Sequence, residues 1–162
     1  MDLRRWESGN FDFGRSVIIL QSIGSFSLIY ALSNYQLPPI GKLVAKASLA
    51  RASEGMDFNM ETLNLKANTV SCIKHEFQKY AEEQLDSKQL PVLVDKLLVP
   101  GLMIHDKEDL QTPNQNVLEL WRHWKGAALH NTQDLGHNLR SREVAPLVVE
   151  FVKEKPLQLA NH

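Results

Sequence analysis

The sequence predicts an α/β protein in which a parallel sheet is flanked by helices. Two observations support this fold class: mostly apolar segments of strand length recur along the chain, and segments with apolar residues at helical spacing separate them. The strands are predicted at residues 15–20, 42–47, 98–104 and 127–131. Because strands that alternate with helices form parallel sheets, the alternation predicts a single four-stranded parallel sheet.

The first two elements are predicted to be a strand and a helix joined by a sharp turn. Residues 15–20 contain the β-branched run Val-Ile-Ile, which is typical of a buried strand. After the turn at Gly24, Phe26 and Ile29 lie at helical spacing, and the proline pair at residues 38–39 ends the pattern. The local order is therefore strand, turn, helix.

The middle of the chain gives a second short strand at residues 42–47, followed by a polar region at 51–66 with mixed signals. A long amphipathic helix is then predicted over residues 68–84. Its apolar face comprises Val70, Ile73, Phe77 and Tyr80. Cys72 lies on this helix, where we expect it to be a small core residue rather than a nucleophile.

The last part of the chain repeats the alternation twice. A strand at residues 98–104 is followed by Pro113, which suits the first turn of a helix. That helix carries Val117, Trp121 and Trp124 on one face, a spacing that indicates core packing. After the strand at residues 127–131, a final helix is predicted over residues 141–153. Its apolar stripe consists of Val144, Leu147, Val148, Phe151 and Val152.

The composition indicates one globular domain. The 162 residues are 43% hydrophobic and 23% charged, which provides for a core and argues against disorder. The formal net charge is −1 and the basic residues are scattered, so we expect neither nucleic acid nor a membrane as a partner. The lone Cys72 excludes an internal disulfide, and no apolar run has the length of a signal peptide or membrane span. We therefore expect a cytoplasmic protein.

A serine, an acid and a histidine each follow a predicted strand. Ser22 comes after the first strand, Asp109 after the third and His137 after the fourth. Because the carboxyl ends of parallel strands lie at the same edge of a sheet, we expect these side chains to meet. A serine hydroxyl becomes a nucleophile when an imidazole can take its proton, and a carboxylate then orients that imidazole. Asp106 competes with Asp109 for the role of the acid.

Other interpretations of these residues remain open at this point. Ser22 alone is also compatible with an ordinary turn residue before a helix. A metal site is a further alternative, although the sequence has no closely spaced ligand pair of the H-E-x-x-H kind. Its candidate ligands would be His105, Asp106, Asp109, Asp134 and His137. We expect no metal and no organic cofactor.

From about residue 15 to residue 155, the chain resembles the C-terminal half of the α/β-hydrolase fold family. Residues 17–24 (VIILQSIG) resemble the family's nucleophile elbow, in which a serine lies on a tight turn between a strand and a helix. Residues 99–109 (VPGLMIHDKED) are similar to the segment that carries the acid, and residues 135–137 (LGH) to the segment that carries the histidine. Residues 1–14 would be an irregular N-terminal segment and residues 156–162 a tail.

The elbow departs from the family's G-x-S-x-G pattern at two positions. Leu20 replaces the first glycine, and Gln21 stands before the serine where the family commonly has histidine, whereas Gly24 is kept. The resemblance implies that Asp109 is the acid, since the family places it three or four residues beyond the turn. It also implies that the backbone N–H of Ile23 is one donor to the oxyanion.

The family's first four strands and the loop that supplies the second oxyanion donor have no counterpart before Ser22. The strand that precedes Ser22 would then have an unpaired edge, open to a second copy or to a complementing chain. The resemblance implies a serine hydrolase that forms an acyl-enzyme from a small ester or related acyl substrate. The alternative is a non-catalytic fragment or pseudoenzyme that needs a partner chain to complete its sheet.

Overall fold

The computed structural model describes residues 12–81 and 90–154. In this part of the chain, four strands form one sheet in the order β1-β2-β3-β4, and every neighbouring pair is parallel. The strands are β1 (Val17–Gln21), β2 (Lys42–Lys46), β3 (Gly101–Asp106) and β4 (Ala127–Thr132). The sequence-based prediction of a parallel α/β sheet is confirmed.

Six helices are described. They are α1 (Ile23–Asn34), α2 (Ala52–Thr62), α3 (Ala67–Ala81), α4 (Leu90–Leu93), α5 (Asn114–His123) and α6 (Val144–Lys153), with short 3-10 turns at Phe13–Arg15 and Val94–Lys96. None of the helices in the described ranges is long and apolar enough to cross a membrane. The tail predicted at residues 156–162, residues 1–11 of the predicted N-terminal segment and the predicted end of α3 at 82–84 lie outside the described residues.

The core consists of two layers, one on each face of the sheet, because side chains alternate along a strand. On one face, Leu43, Ala45 and Met103 pack with residues of α1, α4 and α5, including Ile29 and Leu120. The other face is covered by α6. That smaller cluster contains Val44, Leu102, Ile104, Leu139, Val144 and Val148. The helices thus hold the sheet between them, and the sheet sets the positions of the loops at its carboxyl edge.

Several boundaries differ from the predicted ones. Strand β3 begins at Gly101 rather than at residue 98, because Leu98 is 74% exposed and pairing with β2 starts only after Pro100. The polar region at 51–66 forms α2, which sequence periodicity did not show. Helix α6 begins at Val144, three residues later than expected.

Two burial predictions are wrong. Cys72 is exposed rather than in the core. It lies on α3, whose Ile73 and Phe77 are exposed as well, because α3 packs outside both core clusters. Trp121 is 38% exposed, and its indole N–H donates to the carbonyl of Ala127 at 3.0 Å at the rim of the sheet. Of the two tryptophans, only Trp124 is a core residue.

Candidate active site

Ser22 is the single residue between β1 and α1, and its backbone is strained. Its φ is 53° and its ψ is −127°, a combination that residues other than glycine rarely adopt. Hydrogen bonds fix this conformation from both sides. The Ser22 N–H donates to the carbonyl of Lys46 on β2 at 2.9 Å, and the Ser22 carbonyl accepts from the N–H of Phe26 at 3.2 Å. The strand and the helix thus impose a tight turn on the serine.

The turn forms although the first glycine of the elbow motif is replaced by Leu20. The Leu20 side chain is partly buried and packs against the core cluster that includes Ile29 of α1. At Gly24, an added Cβ would lie 3.7 Å from the Leu20 side chain, an ordinary van der Waals distance. Leu20 and Gly24 therefore fit together without a clash.

The structure brings Ser22, His137 and Asp109 together in one hydrogen-bonded line. His137 Nε2 lies 2.9 Å from Ser22 Oγ, and His137 Nδ1 lies 2.9 Å from Asp109 Oδ2. The imidazole is 12% exposed and the Asp109 side chain is fully buried. The three residues follow β1, β4 and β3, so the parallel sheet assembles the line from segments far apart in the sequence.

Asp109 is oriented by the loop that follows it. Its Oδ1 accepts from the N–H groups of Gln111 and Thr112 at 2.8 and 3.1 Å, and its Oδ2 accepts from the Thr112 hydroxyl at 2.5 Å. These bonds satisfy the carboxylate and leave Oδ2 also facing His137. Sequence reasoning missed Thr112. The signal was the Asp-x-x-Thr spacing, which is typical of an aspartate that hydrogen-bonds its own loop.

Asp106 makes different contacts from Asp109, although both follow β3. Its carboxylate accepts from the N–H of Leu135 at 3.0 Å, the hydroxyl of Thr132 at 2.8 Å and the N–H of Glu108 at 3.0 Å. Burial alone would raise the pKa of Asp106, but these hydrogen bonds outweigh burial and lower it. Asp106 is therefore an ionised anchor that ties the loop before His137 to the end of β3.

His105 is a buried residue of this region that sequence reasoning did not assign to the hydrogen-bonded line. Neither ring nitrogen has a hydrogen-bond partner among the described residues. Burial lowers the pKa of His105, and the carboxylates of Asp109 and Asp106 oppose this only in part. The lowered pKa favours the neutral form of the His105 imidazole.

The N-terminus of α1 supplies backbone donors next to Ser22. The first N–H groups of a helix have no intrahelical acceptor, and here the first belongs to Ile23. They carry a partial positive charge that favours a developing anion. A second donor is not assigned within residues 12–81 and 90–154. In the same ranges, no group of three or more His, Cys, Asp or Glu side chains is arranged to hold a metal ion.

A serine, a histidine and a carboxylate that meet in this chain order at the carboxyl edge of a parallel sheet are typical of α/β-hydrolase folds. No protein-family model and no curated protein sequence matches this chain. Solved structures do match. One is the Pyrococcus furiosus esterase PF2001, with a TM-score of 0.64 and 19% identity, covering 85% of this chain and 53% of that chain.

Two further matches have the same character. MGS-MChE2, an α/β-hydrolase enzyme from a metagenome of lagoon sediments at Mar Chica, Morocco, matches with a TM-score of 0.62 and 19% identity, covering 87% of this chain and 62% of that chain. CarC, a serine hydrolase involved in carbazole degradation, matches with a TM-score of 0.61 and 16% identity, covering 90% of this chain and 66% of that chain. The protein has the α/β-hydrolase fold, and it spans less than two thirds of the length of these three chains.

Proposed function

We propose that this protein is a serine hydrolase that cleaves a small ester or related acyl compound through an acyl-Ser22 intermediate. The observation that carries the proposal is the line of two 2.9 Å contacts from Ser22 Oγ through His137 to Asp109. The strained backbone of Ser22 supports it as well, because conformations of this kind cluster at active sites.

The residues divide the chemistry among them. His137 Nε2 takes the hydroxyl proton as Ser22 Oγ attacks the acyl carbonyl carbon, and the negative oxygen that forms lies against the N–H of Ile23. The C–O bond to the alcohol then breaks, and the alcohol leaves with the proton from His137. Water, activated by His137, attacks the acyl-Ser22 ester and releases the acid. Asp109 keeps the imidazole in the tautomer that presents Nε2 to Ser22.

The comparisons support a hydrolase in general terms, since the matched structures include an esterase and a serine hydrolase. A small ester is the simplest substrate for this chemistry, since acyl transfer by this set of residues needs only an electrophilic carbonyl. None of the proposed steps requires a metal or an organic cofactor. The cytoplasmic location expected from the sequence remains part of the proposal.

A fluorophosphonate probe tests the proposal directly. In an assembled site, Ser22 Oγ attacks phosphorus, fluoride leaves and the hydroxyl proton passes to His137, so the probe becomes attached to Ser22. We expect labelling of the full chain and complete loss of labelling in Ser22→Ala. Ser27→Ala is the matched control, because Ser27 lies exposed on α1, the helix that follows Ser22. Labelling that persists in Ser22→Ala, or an unlabelled wild-type chain, would contradict the proposed function.

A second candidate is a non-catalytic chain that completes its sheet with a partner. Two observations favour it. The match covers only 53% of the Pyrococcus furiosus esterase chain, and the edge of β1 is exposed, with Ile19 at 50% exposure. The probe experiment separates the two candidates, because a pseudoenzyme with this geometry but no oxyanion site would not be labelled.

A further inference from the structure

Gln21, the residue before Ser22, has a side chain that reaches the loop of the histidine. Its Nε2 donates to the backbone carbonyl of His137 at 3.0 Å, across 116 positions of sequence. Its Oε1 accepts from the ammonium group of Lys46 at 3.3 Å. Gln21 therefore connects the end of β1, the end of β2 and the residue that contacts Ser22 Oγ.

The two partners fix which way the amide of Gln21 points. A lysine ammonium group can only donate, so the side facing Lys46 must be the amide oxygen. A backbone carbonyl can only accept, so the side facing His137 must be the NH2 group. A flipped amide would lose both bonds. The half-buried Lys46 therefore selects the orientation in which the amide NH2 donates to the carbonyl of His137.

The loop that carries His137 is anchored on both sides of the histidine. Before it, the N–H of Leu135 donates to Asp106 at 3.0 Å. At the histidine itself, the carbonyl accepts from Gln21. Between these anchors the chain passes through Gly136, whose φ is 59°, so the loop is tightly curved. With the Gln21 bond removed, the loop is still held by Asp106 before the histidine and by the buried Leu139 after it, but the backbone of His137 itself loses its anchor. The position of its ring relative to Ser22 then depends on the contact with Asp109.

We propose that Gln21 is a positioning residue, which holds the backbone of His137 so that Nε2 stays within hydrogen-bond distance of Ser22 Oγ. The inference rests on the proposed function, since it concerns the reactivity of Ser22. Its physical basis is the steep dependence of catalysis on geometry, in which a displacement of about 1 Å costs about 100-fold in rate. Gln21 touches no reacting atom and acts through His137.

The test compares the rate of fluorophosphonate labelling with thermal stability in Gln21→Ala, Gln21→Glu and the wild-type chain. Gln21→Ala removes both hydrogen bonds, and we expect labelling to slow by about 10- to 100-fold. Gln21→Glu separates positioning from stability. Its carboxylate gains an ion pair with Lys46 but turns an oxygen toward the carbonyl of His137, so labelling slows while the melting temperature does not fall. Gln115→Ala, at an exposed position on α5, is the control.

A spectroscopic readout follows His137 without relying on turnover. Long-range proton–nitrogen correlation spectra report the tautomer and mobility of each histidine ring, and a His137→Gln variant assigns the signals. We expect the His137 signals to shift or broaden in Gln21→Ala and in Gln21→Glu, and to stay unchanged in Gln115→Ala.

Wild-type labelling rates and His137 signals in Gln21→Ala would overturn the positioning role while leaving the proposed function intact. Loss of labelling in proportion to a lower melting temperature in both Gln21 variants would also overturn it, because a purely structural role predicts that result. An unlabelled wild-type chain would overturn the proposed function, and the positioning role with it.

Discussion

At the scale of single residues, Ser22 shows how the fold stores strain at the candidate site. Its φ of 53° and ψ of −127° lie where a Cβ is disfavoured, and such positions cost on the order of 1–3 kcal/mol. The bonds to Lys46 and Phe26 hold the residue there. A glycine would adopt this backbone with far less strain, but it would not supply the hydroxyl.

This strain predicts that Ser22→Gly is more stable than Ser22→Ala by about 1 kcal/mol or more. Both variants lack the hydroxyl, so the difference between them isolates the cost of a Cβ at this backbone conformation. The usual order of the two substitutions is the reverse, since glycine gains entropy in the unfolded chain. Chemical denaturation of both variants measures the difference, and an alanine variant as stable as the glycine variant would show that Ser22 is unstrained.

The separate contacts of Asp109 and Asp106 lead to different effects of the same substitution. Asp109→Asn replaces an acceptor for His137 Nδ1–H with an amide that can stabilise the wrong tautomer, so turnover or labelling should fall by up to about 10,000-fold. The free energy of unfolding should change little compared with the labelling rate. The measurement is the labelling rate of each variant beside its free energy of unfolding.

Asp106→Asn should show the opposite pattern. It weakens the bonds to Leu135, Thr132 and Glu108, so we expect a loss of stability of about 1–3 kcal/mol and a smaller loss of labelling. Because its folded pKa is lowered, the ionised Asp106 stabilises the fold above its unfolded pKa of about 4, and this contribution is lost as the pH falls through the lowered value. A loss of labelling confined to Asp106→Asn would show that Asp106, and not Asp109, is the acid that orients His137.

Much of the candidate site was predictable from the sequence, because each residue lies close to a strand end. Ser22, Asp109 and His137 follow β1, β3 and β4, and parallel pairing then brings them to one edge. The contact of Gln21 with His137 was not predictable. It depends on the path of a loop 116 positions away and on the orientation of an amide, and neither leaves a periodic pattern in the sequence.

At the scale of the elements, the spacing of apolar residues predicted four strands and the helix α6. A strand or helix that buries one face needs apolar residues at regular intervals along that face. The same reasoning failed where burial is decided by tertiary packing. The face of α3 with Ile73 and Phe77 has the pattern of a core helix but is exposed, and α2 has almost no pattern. Trp121 and Trp124 share a helical spacing, yet the helix ends at His123 and only Trp124 turns into the core.

The packing of Trp124 explains why β3 begins with glycine. A Cβ added at Gly101 would lie 2.4 Å from the indole of Trp124, which is itself buried and hydrogen-bonded to the carbonyl of Val99 at 3.1 Å. The ring cannot withdraw without breaking that bond and opening the core. Gly101 thus lets the helix-end tryptophan close over the start of the strand.

We therefore predict that Gly101→Ala is destabilised by at least about 1–3 kcal/mol, the usual cost of overpacking a core. Gly55→Ala is the control, because a Cβ there meets Leu49 at 3.6 Å in ordinary contact and alanine favours the helix α2. That variant should be as stable as the wild type or more stable. Equal stabilities in denaturant would show that Trp124 can shift without cost.

At the scale of the whole molecule, the described sheet ends at β1 without a further strand. The carbonyl of Ser16 and the N–H of Ser22 face β2, so residues of the other parity direct their backbone groups away from it. Ile19 is one of these. It is half exposed, and with Val148 and Val149 of α6 it lines a groove of about 490 Å³. In the three matched structures described above, between 34% and 47% of each chain lies outside the match.

An edge strand of this kind offers unpaired donors and acceptors to another chain, and the apolar side chains of Ile19, Val148 and Val149 in the groove beside it favour the same contact. We predict that the isolated chain is not a monomer. Light scattering should give a mass above the 18.4 kDa of one chain, increasing with concentration. Ile19→Lys places a charge on the exposed strand and should shift the population toward monomer. Leu110→Lys, which charges an exposed position in the loop after β3, should leave the mass unchanged. A monodisperse 18.4 kDa species that unfolds cooperatively would show that β1 is stable as a free edge.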